Sequence, residues 1–93
     1  MQDRLEEAVA PLLRRDSLKL VLAESCTGGL VSDRITDVPG SSDYYLGGVI
    51  TYSDAAKRDL LGVSLETLTH FGAVSRQTVL EMARGVRILY STF

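Results

Sequence analysis

The chain has 93 residues, 45% of them hydrophobic and 24% charged, which is the composition of a single soluble globular domain with no room for a second. Its formal charge of -2 and pI near 5.2 exclude the basic surface that nucleic acids require, and neither Arg14-Arg15 nor Lys57-Arg58 amounts to a phosphate groove. A domain this small buries a modest share of its unfolded surface, so a homo-oligomer, specifically a dimer, is expected.

Cys26 is the sole cysteine, so no intrachain disulfide forms, and no Cys and His spacing matches a tetrahedral metal site. No metal and no cofactor is expected. The first residues carry Asp3, Glu6 and Glu7 where a secretory signal needs a basic start, and no apolar run approaches the roughly 18 residues of a membrane span. The expected location is the cytoplasm, away from any membrane.

Leu5, Ala8, Val9, Leu12 and Leu13 recur at helical spacing, and Asp3 with Glu6 offers an N-terminal capping pair, which predicts an amphipathic helix over 3–15. Pro11 lacks the N–H that would bond back to residue 7 and is expected to kink or end it. Lys19-Leu20-Val21-Leu22-Ala23 is a short apolar run, the pattern of a strand covered on both faces. It enters Glu24-Ser25-Cys26-Thr27-Gly28-Gly29, a Gly-rich turn. Leu30, Val31, Ile35 and Val38 then give a helical stripe ended by Pro39-Gly40, predicting a helix over 28–37.

After a loop at 40–43 and the pair Gly47-Gly48, the β-branched run Val49-Ile50-Thr51-Tyr52 predicts a second strand. A helix between two buried strands implies a parallel pair with a right-handed crossover. Short helices follow at 54–61, closed by Gly62, and at 65–71, capped by Ser64 and closed by Gly72. Ser75 caps a last amphipathic helix over about 76–89, with Val79, Met82, Ala83, Val86 and Leu89 on its stripe.

Three positions stand out chemically. Ser25 lies at the mouth of a helix whose first N–H groups lack intrahelical partners, and Gly28 and Gly29 let a phosphate or an oxyanion approach closely. Lys57 follows the second strand, and adjacent parallel strands share one crevice at their carboxyl ends, so the two side chains can meet. A Ser–Lys pair needs a neutral amine to take the serine proton, and Arg58 is placed to favour that form. Tyr52 is placed to orient the amine or to bind substrate. The blander readings are Ser25 or Thr27 as a helix cap, Lys57 as an exposed helix lysine and Tyr52 as a core tyrosine. A Cys26–His70 pair and a Glu24–Asp54 carboxylate pair have less to support them, because His70 falls in a separate predicted element and two acids near strand ends are ordinary.

The run Ala23-Glu24-Ser25-Cys26-Thr27-Gly28-Gly29, then Gly40-Ser41-Ser42, Val49 through Lys57 and His70-Phe71-Gly72-Ala73-Val74-Ser75, resembles the CinA C-terminal domain family in order and spacing over residues 20–87. The resemblance implies an α/β fold, a three-layer α/β/α sandwich around a mostly parallel sheet. It also implies hydrolysis of the carboxamide of nicotinamide mononucleotide to nicotinic acid mononucleotide and ammonia. In that reading Ser25 is the nucleophile, Lys57 the general base and Tyr52 a residue of the same site, while Glu24, Cys26, Thr27, Gly28 and Gly29 hold substrate. Family members continue past the last helix into a further strand and a Gly-rich loop, carrying a threonine and an arginine used at the substrate end. Residues 87–93 do not resemble that continuation, so 1–93 is expected to be a single, incomplete domain of this type with an unpaired strand edge. Whether these residues act as an enzyme alone is left open by the sequence. The alternative is an inactive relative serving as an interaction or nucleotide-phosphate-binding module.

Overall fold

Helix α1 spans Leu5–Arg15 and strand β1 spans Leu20–Glu24. They are followed by α2 (Leu30–Thr36), a 3-10 turn at Ser41–Asp43, β2 (Tyr45–Ile50), α3 (Asp54–Leu61), α4 (Leu65–Phe71) and α5 (Arg76–Leu89). This is the computed structural model of the chain, and it describes residues 4–91, so the expected capping role of Asp3 lies outside the described residues.

β1 and β2 pair in parallel, with Ala23 beside Val49 and Glu24 beside Ile50, and α2 forms the connection between them. Strand side chains alternate between faces, and β1 uses both. Leu20 and Leu22 pack with Ala10, Ile35, Val38 and Tyr44 under α1 and α2, whereas Val21 and Ala23 pack with Leu61, Val63, Leu68, Met82 and Val86 beneath α3, α4 and α5. The result is the expected three-layer α/β/α arrangement around a parallel pair. Both cores are apolar, and burying a side chain such as Val63 contributes about 2 kcal/mol by transfer from water.

Several boundaries depart from expectation for identifiable reasons. Pro11 sits inside α1 without ending it, because it occupies the exposed side while Ala10 holds the helix to the core. The buried stripe of α1 is also rotated: Leu5 and Leu12 are exposed, and the charged Glu6 is buried instead. The guanidinium of Arg34 explains this, since its Nε and Nη2 donate to the two Glu6 carboxylate oxygens at 3.0 and 2.8 Å, tying α1 to α2. On α5, Val79 and Leu89 are likewise exposed, and the buried set is Thr78, Met82, Gly85 and Val86.

The larger difference is β2, which runs through Gly47-Gly48 from Tyr45 and stops at Ile50, leaving Thr51 and Tyr52 beyond it. The glycines are there because the backbones come close. A Cβ at Gly48 would lie 2.5 Å from the Leu22 carbonyl oxygen, and Gly47 adopts φ 147° with the Tyr90 hydroxyl 2.9 Å from where its Cβ would be.

The Glu6–Arg34 pair carries a pH prediction. Hydrogen bonds from Arg34, together with a backbone N–H, hold the Glu6 carboxyl at about 2, below its ordinary 4.5. In acid the unfolded chain therefore takes up this proton before the folded one does, so the pair's contribution to stability is fully present above the ordinary carboxylate range and is lost as pH drops from 4.5 towards 2. Urea midpoints across that range should show the fall, and Glu6→Gln should reduce its slope while lowering stability at neutral pH.

Candidate active site

Ser25 directly follows Glu24, the last residue of β1, in the turn leading to α2. Lys57 sits in the first half of α3, whose start is capped by the Ser53 hydroxyl accepting from the Ala56 N–H at 3.1 Å. Because the strands are parallel, both segments leave the same end of the sheet. The Lys57 Nζ reaches across and donates to Ser25 Oγ at 2.9 Å. It also donates to the carbonyl oxygens of Thr51 at 2.8 Å and Tyr52 at 3.1 Å.

Lys57 is wholly buried, at 0% exposure, and takes part in no ion pair among the described residues. Nearly all buried lysines have a carboxylate partner; this one has only neutral oxygens. The three contacts match an ammonium with three donors. They equally match a neutral amine that gives its two N–H groups to the carbonyls and turns its lone pair to the serine hydroxyl.

Tyr52 contributes differently from expectation. Its side chain is 75% exposed, so it is not a core tyrosine, and its contact with Lys57 is through the backbone carbonyl. Thr51, which the sequence did not single out, holds the amine the same way and is wholly buried. Cys26 and Thr27 are exposed beside Ser25, and no hydrogen bond among the described residues engages their N–H groups. Gly28 has open space where a Cβ would stand, whereas a Cβ at Gly29, which adopts φ 104°, would meet Ile50 at 2.9 Å.

The mouth of α2 is not vacant. The N–H groups of Val31 and Ser32, expected to face a ligand anion, donate to the Glu24 carboxylate at 2.8 Å each, and the Thr27 hydroxyl donates to it at 2.7 Å. Burial alone would push the Glu24 carboxyl up, but the hydrogen bonds from Thr27, Ser32 and Val31 outweigh it and bring it down to about 2. This carboxylate is thus the anion of the helix mouth, which leaves little reason for a substrate phosphate to bind there. The signal was available in the sequence as an acidic residue immediately before a Gly-rich turn into a helix. His70 lies on α4 and Asp54 opens α3, and no group of three His, Cys, Asp or Glu side chains gathers among the described residues.

An open groove of about 270 Å³ adjoins Ser25, with Ala23, Val31, Val74, Val79 and Met82 among its apolar walls. Among the described residues no helix is long and apolar enough to cross a membrane.

Taken together, the geometry is that of an α/β protein with a buried lysine set against a serine at the carboxyl ends of parallel strands. The model of the CinA C-terminal domain matches residues 2–92, and the chain belongs to that family. It is 52% identical over 86 residues to a CinA-like protein of Amoebophilus asiaticus, covering 92% of this chain and 21% of that protein. With a CinA-like protein of Chlorobium limicola the identity is 57% over 82 residues, covering 88% and 19%. Among solved structures, competence/damage inducible protein CihA from Agrobacterium tumefaciens superposes with a TM-score of 0.87 at 47% identity, over 91% of this chain and 52% of that one. Competence damage-inducible protein A from Klebsiella pneumoniae gives 0.91 at 39% identity, over 94% and 54%. The chain therefore spans about a fifth of the length of the curated relatives and about half of the solved chains.

Proposed function

We propose that the chain carries the nucleophile and the base of an amidohydrolase acting on the carboxamide of nicotinamide mononucleotide, by a Ser–Lys mechanism. The observation that supports this most is the wholly buried Lys57 Nζ at 2.9 Å from Ser25 Oγ, with its other two contacts to carbonyl oxygens. In the reactive form the amine is neutral. Its lone pair takes the Ser25 proton as Oγ bonds to the amide carbon, and the N–H groups of Cys26 and Thr27 are donors for the resulting oxyanion. Lys57 then passes the proton to the departing nitrogen, ammonia leaves, and water releases the acid from the acyl-serine. The apolar groove beside Ser25, lined also by Cys26 and Thr27, gives a flat pyridine ring a wall to lie against, and the family resemblance adds Tyr52, Gly28 and Gly29 to the same site. The same reading includes a cytoplasmic, dimeric protein whose small-molecule partner is the nucleotide.

Incubation with nicotinamide mononucleotide, measuring ammonia and nicotinic acid mononucleotide together, tests it. Ser25→Ala is expected to reduce both products by about a thousandfold or more, to background. Equal release from the variant would reject Ser25 as the nucleophile.

A further inference from the structure

Glu24 touches neither the buried amine nor the serine hydroxyl with its side chain, yet it is bonded to the supports of both. Its carboxylate receives the Thr27 hydroxyl and the N–H groups of Val31 and Ser32, which fixes the turn carrying Ser25 against the start of α2. Its carbonyl oxygen receives the Thr51 N–H at 2.8 Å, beyond the end of β2. The Thr51 carbonyl in turn accepts from Lys57. One residue, only 5% exposed, thus links the loop that presents the hydroxyl to the segment that seats the amine.

From this connectivity we infer that Glu24 is the positioning residue of the Ser25–Lys57 pair, setting their approach through its carboxylate on one side and its carbonyl on the other. The inference rests on the Ser–Lys reading for its catalytic meaning, but the positioning itself is measurable without turnover. A carboxylate with three donors resists displacement, because protonating it sets an O–H, and replacing one oxygen by an amide nitrogen sets an N–H, against a part-buried donor. The turn then loosens, and Ser25 withdraws from the amine it shields.

The chain has two lysines, Lys19 and Lys57, which makes amine footprinting a direct readout. Lys19 is exposed and serves as the internal reference. Brief acylation with acetic anhydride at fixed pH, followed by peptide mapping, should show Lys57 protected relative to Lys19. In Glu24→Gln that protection should fall by about tenfold, with Lys19 unchanged. Glu24→Asp, which keeps the charge on a shorter stem, should restore part of it. A role limited to holding α2 would lower the melting temperature and leave Lys57 protected in the folded molecule. Melting curves on the same samples therefore separate the two. Should Glu24→Gln fail to fold, Thr27→Val removes one donor at no change of charge and is expected to expose Lys57 severalfold. Undiminished Lys57 protection in a folded Glu24→Gln, or in Thr27→Val where the first variant does not fold, would overturn the proposal. Loss of ammonia release from Ser25→Ala and Lys57→Met bears on the Ser–Lys reading alone, so the two can fail separately.

Discussion

Under the proposed Ser–Lys mechanism, Lys57→Met is expected to abolish amide hydrolysis, by about a thousandfold or more, while the chain remains folded. Methionine matches the lysine stem in length and suits a fully buried site, so the apolar contacts of α3 survive the change. What disappears is the one hydrogen-bond partner that Ser25 Oγ has among the described residues. The buried Thr51 carbonyl loses a donor as well, at a cost of about 1–3 kcal/mol, while the part-buried Tyr52 carbonyl has access to water in its place. A modest fall in the urea midpoint with complete loss of product is therefore the expected pattern. Retained hydrolysis would remove the lysine from the mechanism, and an arginine in its place should not rescue, since a guanidinium cannot give up its proton to become a base.

The largest stability effect is expected at Gly85. A Cβ there would overlap the Leu61 carbonyl oxygen and stand 2.8 Å from the Leu61 carbonyl carbon and Cβ, because α5 and α3 meet backbone to backbone. Gly85→Ala would raise intrinsic helix propensity by about 1 kcal/mol at an exposed position. Here overpacking opposes it, and the obstacle is main chain rather than a side chain able to turn away. A net loss of about 3 kcal/mol is expected, read as a lower urea midpoint with the slope preserved. An unchanged or raised midpoint would show that α5 can slide on α3.

Much of this arrangement was legible along the chain. The apolar run at 19–23, the Gly-rich turn after it and the serines ahead of the last two helices place β1, α4 and α5 to within a residue or so. The convergence of Ser25 with Lys57 follows from parallel pairing alone, since both segments must then leave the same end of the sheet. Details set by tertiary contact were not legible. Gly47 and Gly48 look like a break before a strand, and only the proximity of Leu22 and Tyr90 explains glycines within one. The buried face of α1 depends on Arg34, 28 residues from Glu6, and periodicity within the helix carries no trace of that partner. Tyr52 reads as a side-chain participant because a backbone carbonyl has no letter in a sequence. The family resemblance implies a substrate role for Glu24, and nothing in the sequence shows that its carboxylate oxygens accept from Thr27, Val31 and Ser32.

β1 is five residues long, and its neighbours feed opposite cores in strict alternation, Leu20 and Leu22 one way, Val21 and Ala23 the other. Such a ribbon tolerates swaps of similar bulk but no change of count. One amino acid inserted between Val21 and Glu24 would exchange the interiors that the preceding or following side chains enter, and would carry the hydroxyl past the amine in the same stroke. Length variation is therefore expected in connectors whose side chains are exposed, such as the stretch from Asp16 to Leu18, and the spacing from Leu20 to Ser25 behaves as a fixed mechanical gauge.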